Sequence, residues 1–364
     1  MNTGFPPSGM WRFASLLPVA DPGSVISLGE GGTPLIEAGG PTLSGLPLAS
    51  LTMKAEHRNP TGSFKDRIAA VATALIREGG LAGTVGTSSG NGGAAIAAYG
   101  ARAGFPVVLF TTSGIVDGKL EQILAHGATV HIVKPGDGSA TEEAAPTIAR
   151  LADEAGWLPF LTGARYLPAA MQGAETIAFE LAEQHADADV VYVPVGGGGL
   201  LGSIWRGYER LGVTPPRLVG AQPAGCPTLL RGVAGDTSPL PGPVTTTISG
   251  LQVSVLFDFG AIDAVRQGGG HVVEVTDEEA WAAQRLLARE EGLFVEPAGA
   301  TALAGALRDL EVGRLAPGEH AVVVLSGAGH KDPSAVRRLV GDNQPIRVAA
   351  SDVEAAFDRV RGLA

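Results

Sequence analysis

Cysteine is almost absent from this chain of 364 residues, in which Cys226 is the one example. A single cysteine excludes a disulfide framework within the chain and any metal site built from several thiolates. Its setting, Ala-Gly-Cys-Pro, is typical of a loop, so we predict a structural role for Cys226. The histidines lack the spacing of metal ligands, and we expect no bound metal.

Positive charge and long apolar runs are also scarce. Lysine and arginine number 26 against 37 aspartates and glutamates, which gives a net charge of −11. An acidic chain without a Lys/Arg cluster is not expected to bind nucleic acid. Even residues 96–110 are broken by Arg102 and by glycines, so we expect no membrane span. The N-terminus lacks the basic and apolar regions of a signal peptide, and we expect a cytoplasmic protein.

Glycine, in contrast, is abundant, with 53 residues, and the apolar fraction of 45% is that of a folded globular protein. From Gly80 onward, short apolar runs alternate with helical patterns, which predicts an α/β fold with parallel sheets. The continuous apolar run at 190–194 predicts a strand that is buried on both faces. We also predict a helix over 145–155 with Pro146 in its first turn, and a long loop over 223–250.

Lys65 lies in a stretch of turn and helix-start residues, His-Arg-Asn-Pro-Thr-Gly-Ser-Phe-Lys-Asp-Arg, at positions 57–67. Ser63 and Asp66 have the spacing of a capping box, and the apolar residues from Ile68 onward have helical spacing. This pattern predicts a helix with Ser63 as its N-cap and Lys65 in its first turn. The positive end of the helix dipole lowers the pKa of an amine there, which suits a nucleophile better than a structural cation. Taken without its neighbours, a solvated surface lysine would explain the same residue.

The segment Asn-Pro-Thr-Gly-Ser-Phe-Lys-Asp-Arg resembles the lysine segment of the threonine synthase family. Those enzymes belong to the β-family, or fold type II, of pyridoxal-phosphate proteins. The resemblance implies that Lys65 forms the Schiff base with pyridoxal 5'-phosphate and acts as the catalytic base. Similar openings at residues 11–18 and 28–35 extend the likeness over roughly residues 11–332.

The resemblance also implies a fold and an assembly. Family members have the tryptophan synthase β-like architecture, with two three-layer α/β domains and the cofactor in the cleft between them. In this chain, residues 1–82 and 163–364 would form the large cofactor-binding domain, and residues 83–162 a smaller inserted domain. We expect a homodimer that acts on a small amino-acid substrate.

A glycine loop follows the apolar run at 190–194 and precedes a helical pattern. Its residues, with the one that follows, are Gly196, Gly197, Gly198, Gly199 and Leu200. Backbone N–H groups in such a loop, at a helix N-terminus, can cradle a phosphate dianion. A dinucleotide site is the alternative, because Gly197, Gly199 and Gly202 satisfy G-x-G-x-x-G. That fingerprint requires an acidic residue at the end of the next strand, where this chain has Gln222, so we favour the phosphate cradle. The loop is also similar to the phosphate loop of threonine and serine dehydratases.

Small residues at the start of a predicted helix form a second candidate anion site. They are Ser88, Ser89, Gly90 and Asn91. Exposed backbone N–H groups there suit the α-carboxylate of an amino-acid substrate, and simple capping of the helix is the alternative. The resemblance places Asn91 against the 3′-oxygen of the pyridine ring, so Asn91 is a candidate for both substrate and cofactor.

Ser326 ends a predicted buried strand, a position where open α/β sheets place ligand-binding residues. A turn serine that caps the strand is the alternative. The resemblance implies that the Ser326 hydroxyl bonds the pyridine nitrogen. A neutral partner leaves that nitrogen largely unprotonated, which favours elimination or replacement over transamination. Glu296, in a Glu-Pro motif, is a weaker candidate near the ring.

One segment departs from the family pattern. Threonine synthases hold the phosphate of O-phosphohomoserine with polar and basic residues in the segment Asn-Ser-x-x-Pro-x-Arg-x-x-Gly-x-Lys-Thr. The corresponding polar and basic positions in this chain are Ala164, Arg165, Ala170 and Glu175. We predict that Arg165 contacts the substrate. One usual cation is missing and a carboxylate replaces another, which weakens a phosphate site.

The resemblance, together with these departures, implies a threonine-synthase-like, pyridoxal-phosphate-dependent lyase. It would eliminate or replace a phosphate or hydroxyl substituent of a small amino acid through an unsaturated imine. A threonine/serine ammonia-lyase and a β-replacement synthase are the alternatives within the same chemistry. A non-catalytic relative that binds an effector has no need of Lys65. A nicotinamide oxidoreductase would need the acidic residue that is missing after the glycine loop.

Overall fold

The computed structural model describes residues 4–88, 90–133, 140–341 and 345–361. Short apolar segments form the strands. In chain order they are β1 (Leu35–Glu37), β2 (Ser50–Lys54), β3 (Thr84–Thr87), β4 (Val107–Thr112), β5 (Thr129–Val133), β6 (Leu158–Phe160), β7 (Val190–Pro194), β8 (Arg217–Pro223), β9 (Val272–Val275) and β10 (His320–Val324).

Helices connect most of these strands. They are α1 (Pro41–Ser44), α2 (Lys65–Glu78), α3 (Asn91–Ala103), α4 (Asp117–Ala125), α5 (Ala140–Ala155), α6 (Pro168–Gln184), α7 (Gly199–Leu211), α8 (Thr228–Val233), α9 (Gly260–Gln267), α10 (Asp277–Arg289), α11 (Pro297–Glu311), α12 (Pro333–Val340) and α13 (Val353–Arg361). In the described ranges, no helix has both the length and the apolar character that a membrane span requires.

Among the described residues, the larger sheet has six strands in the order β1-β2-β10-β7-β8-β9. Strand β1 runs antiparallel to β2, and the other pairs are parallel. The smaller sheet has the order β5-β4-β3-β6 and is parallel throughout. The predicted α/β fold with parallel sheets is therefore confirmed. In such sheets the carboxyl ends of the parallel strands share one edge, which is where ligands bind.

Strand β7 shows how the larger sheet is covered. Val191 and Val193 pack in a core cluster with α6 and α7, whereas Val190 and Tyr192 pack in a second cluster with α11. Because alternate residues of a strand point to opposite faces, β7 is buried on both. The strand predicted at 190–194 is confirmed.

The smaller sheet takes all its strands from residues 84–160, between β2 and β7 in the chain. Its first helix, α3, packs against α2, the helix that begins with Lys65. This contact brings the lysine segment beside the carboxyl edge of the smaller sheet. The exact limits of the smaller domain, at residues 83 and 162, stay a prediction.

A buried ion cluster fastens α2 to α6 and β2. Arg67 lies 2.7 Å from both Glu56 and Glu180, and Lys54 lies 2.6 Å from Glu180. All four side chains are fully buried. Burial raises the pKa of a carboxyl, but Arg67 and Lys54 outweigh it and hold the pKa of Glu180 well below its usual range. The cluster fixes the helix that presents Lys65.

The start of α2 differs from the prediction. The helix begins at Lys65 itself, after Phe64, and has no side-chain cap. The Asp66 carboxylate accepts hydrogen bonds from the backbone N–H and the hydroxyl of Thr61, at 3.2 and 2.9 Å, so it does not complete a capping box. The Ser63 hydroxyl is buried without a hydrogen-bond partner among the described residues. The capping-box prediction is wrong, although Lys65 does lie in the first turn.

Two further predictions are wrong in detail. Helix α5 begins five residues earlier than predicted, about one and a half turns, so Pro146 stands inside it. The predicted loop 223–250 contains α8, because Gln222 Oε1 accepts the backbone N–H groups of Leu229 and Leu230 and so caps that helix from outside the segment. Cys226 does lie in a loop, between β8 and α8.

Candidate active site

A cleft opens where the carboxyl ends of strands from the two sheets face each other. Its walls include Thr87 at the end of β3, Thr162 just after β6, Pro194 at the end of β7 and Ser326 just after β10. Lys65, at the start of α2, lines the same cleft. The cleft thus has the position that open α/β sheets give to ligand sites.

The structure brings together most of the residues that the sequence singled out. Those that line the cleft are Lys65, Ser88, Gly90, Asn91, Gly196, Gly197, Gly198, Gly199, Leu200 and Ser326. Ser89 lies outside the described residues. Arg165 lies elsewhere, as described below. The roles assigned to these residues stay predictions.

The Lys65 amine is held between the two sheets. Its Nζ donates a hydrogen bond to Thr162 Oγ1 at 3.0 Å and lies over the Phe64 ring, 4.7 Å from the centroid. Burial lowers the pKa of Lys65 to about 8. Near neutral pH, part of this amine is therefore uncharged and can serve as a nucleophile or a base.

The glycine loop, residues 196–199, joins β7 to α7. A Cβ atom on Gly197 would lie 3.0 Å from the Phe257 ring, so a larger residue there requires the ring to shift. Gly198 has a φ of +87°, and a Cβ atom there would lie 2.6 Å from the Asp258 carbonyl oxygen. Because the four glycines have no side chains of their own, the backbone N–H groups of the loop can bind a phosphate at the N-terminus of α7.

A turn at Phe257 and Asp258 holds the glycine loop in place. Both backbone N–H groups donate to the Gly197 carbonyl, at 2.9 and 3.1 Å. Arg206 of α7 in turn bonds both oxygens of the Asp258 carboxylate, at 2.8 and 2.7 Å. A Cβ atom on Gly202 would lie 2.8 Å from Asp258 Oδ1, so Gly202 is needed to admit this carboxylate. That packing accounts for the third glycine of the apparent dinucleotide fingerprint.

Asn91, Glu296 and Lys119 form a polar chain beside the cleft. Asn91 Nδ2 donates to Glu296 Oε1 at 2.6 Å, and Lys119 Nζ lies 3.1 Å from Glu296 Oε2. Lys119 also donates to Ser249 Oγ at 3.0 Å. In the part of the chain that is described, Asn91 Oδ1 is buried and has no hydrogen-bond partner. Such an atom calls for a partner that the protein itself does not supply.

Ser88 and Ser326 stand on opposite walls of the cleft. Ser88 Oγ accepts the backbone N–H groups of Gly93 and Gly90, at 2.7 and 3.3 Å, so Ser88 caps the start of α3. The capping alternative is thus realised, while Ser88 and Gly90 also line the cleft. The carbonyl oxygen of Ser326 accepts the N–H of Phe64 at 3.2 Å, which ties the end of β10 to the lysine segment.

Arg165 does not line the cleft. It borders a neighbouring cavity with Arg206, Glu209 and Asp263, and its guanidinium lies 5.4 Å from the centre of the Tyr166 ring. A contact between Arg165 and the substrate stays a prediction.

Sequence patterns missed several parts of this site, among them Thr162, Lys119, Phe257 and residues 250–253. Residues 250–253 follow a proline- and glycine-rich stretch, and Thr162 follows a short strand, so neither carried a motif. Lys119 had one usable signal. It stands in the first turn of α4, where the dipole opposes a cation, as it does for Lys65. A helix predicted over 120–126 begins one residue after Lys119.

The arrangement fits pyridoxal phosphate. The glycine loop offers a phosphate cradle that a Cβ atom would fill, Asn91 offers a buried unpartnered oxygen, and Lys65 offers an amine with a lowered pKa. Within the described ranges, no three His, Cys, Asp or Glu side chains are placed to hold a metal ion.

Comparison with known proteins agrees with this fit. The family model of pyridoxal-phosphate dependent enzymes matches residues 26–327. The threonine synthase of Methanocaldococcus jannaschii is 36% identical over 351 residues, which cover 93% of this chain and 84% of that protein. The threonine synthase of Bacillus sp. strain ULM1 is 33% identical over 360 residues, which cover 97% of each chain. The crystal structure of a threonine deaminase from T.th. has a TM-score of 0.68 and 28% identity, covering 81% of this chain and 92% of that one.

These likenesses confirm the predicted family, fold type, cofactor and class of enzyme. They span most of this chain and most of each relative. The chain belongs to the pyridoxal-phosphate dependent enzymes, in the threonine synthase family, and is a lyase of that type.

Proposed function

We propose that this chain eliminates or replaces an oxygen substituent at Cβ or Cγ of a small amino acid, with Lys65 as the base. The observation that carries the proposal is the position of Lys65. Its amine, with a pKa lowered to about 8, shares one cleft with the glycine loop and Ser326. A lysine held in this state beside a phosphate cradle meets the needs of pyridoxal-phosphate chemistry.

Each wall of the cleft has its own task in this proposal. Pyridoxal phosphate, when bound, withdraws electrons from the substrate and makes the proton on its α-carbon removable. The N–H groups of the glycine loop bind the phosphate, and Asn91 and Ser326 orient the ring. The N-terminus of α3, at Gly90, binds the substrate carboxylate. Lys65 Nζ, in its neutral form, accepts the α-proton, and a C–O bond at Cβ then breaks with its electron pair leaving on oxygen. For a substituent at Cγ, a proton on Cβ must also be removed before the C–O bond breaks.

Ser326 supports elimination over amino transfer. Its hydroxyl is neutral, so it does not hold a proton on the pyridine nitrogen as a carboxylate would. The relatives named threonine synthase support the same class of reaction. Exchange of the cofactor between aldehyde and amine forms should therefore be slow compared with release of the oxygen substituent.

The proposal is tested on the purified protein. We expect a yellow preparation that borohydride bleaches, with the cofactor then fixed to a peptide that contains Lys65. Lys65→Ala should lower turnover about 1,000-fold or more while the far-ultraviolet circular dichroism stays unchanged. If borohydride fixes the cofactor to another residue, or if Lys65→Ala turns over like the wild type, the assignment of Lys65 is wrong.

The second candidate function is an ammonia-lyase that converts serine or threonine to a 2-oxo acid. The structural likeness to threonine deaminase, at 28% identity, supports this candidate. Serine and threonine, added to the holoenzyme, should then yield ammonia and a 2-oxo acid. Formation of threonine from an O-substituted homoserine would favour the synthase reaction instead.

The proposal extends to a homodimer in the cytoplasm. Val353, Phe357 and Val360 are 56%, 64% and 63% exposed on α13 and recur at helical spacing. An apolar stripe of this kind supports an interface with a second subunit. Light scattering should give twice the mass of the chain, and cell fractionation should place the protein with other cytoplasmic enzymes. A stable monomer contradicts the dimer.

A further inference from the structure

We propose that the cleft accepts amino acids whose β- or γ-oxygen substituent is an uncharged hydroxyl or carboxylic ester, and that it rejects phosphate monoesters. This inference rests on the proposed function, because it names the substrate class of the same site. It follows from the charges that surround the distal end of a bound substrate.

A buried cation near the cleft, Lys119, is already neutralised. Its ammonium lies 3.1 Å from the Glu296 carboxylate and donates to Ser249 Oγ at 3.0 Å. Gly90 and Gly250 stand between it and the cleft, since Cβ atoms built on them would lie 3.6 and 3.8 Å from Nζ. Lys119 and Glu296 together carry no net charge, and the carboxylate is the member that lines the cleft.

The arginines nearby are engaged outside the cleft. Arg206 bonds both oxygens of Asp258, and Arg165 borders the neighbouring cavity beside Tyr166. Among the described residues that line the cleft, Lys65 is the one lysine or arginine, and its amine is committed to the α-proton. The two anion cradles, at the glycine loop and at the N-terminus of α3, are taken by the cofactor phosphate and the substrate carboxylate.

The remaining wall is neutral and largely apolar. It comprises Leu251, Gln252, Val253 and Phe257. A phosphate dianion needs several charge-assisted hydrogen bonds to replace its water, and the Glu296 carboxylate repels it. A hydroxyl or an ester needs only one or two neutral partners. Gln252, whose amide also donates to the Thr246 carbonyl at 2.8 Å, is placed to supply one.

For hydroxyl and for ester substrates, each proton and electron pair that moves during elimination has an acceptor. For a β-substituent, Lys65 Nζ gains the α-proton, the C–O bond breaks, and its electron pair leaves on oxygen. For a γ-substituent, a proton must also be removed from Cβ before the C–O bond at Cγ can break. An ester leaves as a carboxylate. A hydroxyl leaves as water after it takes the proton back from the Lys65 ammonium. Neither route needs a cation other than Lys65 beside the leaving group.

The experiment compares matched substrates on the holoenzyme. O-acetylserine is paired with O-phosphoserine, and O-acetylhomoserine with O-phosphohomoserine; serine and threonine are added alone. We expect kcat/KM for an acetyl ester to exceed that of its phosphate partner by about 100-fold or more, from initial rates of acetate and phosphate release. A phosphate ester that reacts as well as its acetyl partner, or better, overturns the inference and leaves the lyase function intact. If neither member of either pair reacts and serine and threonine are also inert, the proposed function itself fails and the inference with it.

Two variants test the electrostatic cause. Glu296→Gln removes the carboxylate that neutralises the Lys119 ammonium and leaves an amide oxygen that can accept from Asn91. The Kd of O-phosphoserine, measured from the visible spectrum, should therefore fall about tenfold. Glu121→Gln, on the exposed side of α4, makes the same change of charge away from the cleft and should leave that Kd unchanged. Gln252→Lys places a new cation in the wall and should raise kcat/KM for phosphate esters relative to acetyl esters. If neither Glu296→Gln nor Gln252→Lys shifts the preference toward phosphate, charge does not select the substrate and the inference is wrong.

Discussion

The Lys65 ammonium donates a hydrogen bond to Thr162 Oγ1 across 3.0 Å and so joins the first residue of α2 to the end of the smaller sheet. Lys65 precedes that sheet in the chain, and Thr162 follows its last strand, β6. The Lys65 side chain thus bridges the two walls of the cleft. If the two walls of the cleft move apart, the hydrogen bond between Lys65 Nζ and Thr162 Oγ1 lengthens.

Covalent capture of pyridoxal phosphate by cofactor-free protein should become faster as pH rises, with a midpoint near the Lys65 pKa of about 8. The rate rises with pH because only the neutral amine attacks the aldehyde. The midpoint is lower than for an exposed lysine because burial disfavours the ammonium and so lowers this pKa. The rate is measured as the growth of visible absorbance after mixing, between about pH 6.5 and 9.5, a range that brackets this value. A rate that still rises about tenfold per pH unit at the upper end of this range, as for an exposed lysine, would contradict the burial of the amine.

Thr162→Val should shift that midpoint downward by about one pH unit, because the threonine hydroxyl accepts from the Lys65 ammonium and so stabilises its charged form. Thr162→Ser keeps the hydroxyl and is the matched control, with the midpoint of the wild type. A pure loss of rate with no shift in pH profile would mean that Thr162 acts by packing alone.

Asp258→Asn should weaken pyridoxal-phosphate binding about 10- to 100-fold, since it removes the charge that Arg206 holds with two hydrogen bonds. The backbone of Asp258 and Phe257 then positions the glycine loop less firmly through the Gly197 carbonyl. The Kd is measured by absorbance titration of the cofactor-free protein.

Asp263→Asn is the control for this prediction. Asp263 is exposed on α9 and borders the same neighbouring cavity, but its carboxylate bonds Gln267 and not the turn that holds the loop. It should bind the cofactor as the wild type does. If both variants lose the same affinity for pyridoxal phosphate, the effect comes from the change in net charge and not from the position of the glycine loop.

Much of the site could be predicted because it depends on short sequence patterns at strand ends. The apolar run of β7, the glycine loop and Ser326 after β10 are each local, and parallel pairing brings the carboxyl ends of β7 and β10 to one edge. Lys65 was recognisable because a long motif surrounds it. Such features need no knowledge of how distant segments pack.

The residues that escaped prediction depend on tertiary contacts. Phe257 and Asp258 approach the glycine loop from about 60 residues further along the chain, and Arg206 gives no sign in the sequence that it will pair with Asp258. The capping box failed for a different reason, since Asp66 bonds a competing partner close by in the chain, Thr61. Sequence spacing predicts one hydrogen-bond partner for a side chain, but the folded structure determines which partner it contacts.

Glu180→Gln should lower the free energy of unfolding by about 3–5 kcal/mol, because it leaves Lys54 and Arg67 with a single buried carboxylate, Glu56. The folded-state pKa of Glu180 is depressed, so its contribution is complete above the unfolded value, about 4.3, and is lost as the pH falls toward the folded value. The wild type should therefore lose stability in acid more steeply than the variant. Both are measured by urea unfolding between about pH 3 and 7, a range that spans the unfolded value.

Glu183→Gln provides the comparison for this last substitution on the same helix. Glu183 also pairs with an arginine, Arg12, at 2.7 Å, but its side chain is 55% exposed. Solvent screens such a pair, so the loss should stay within about 0.5 kcal/mol at neutral pH. If the two variants lose equal stability, burial does not strengthen the cluster, and the ion pairs that fix α2 are no more than surface pairs. A large difference would mean that the helix carrying Lys65 is held by charges that water does not reach.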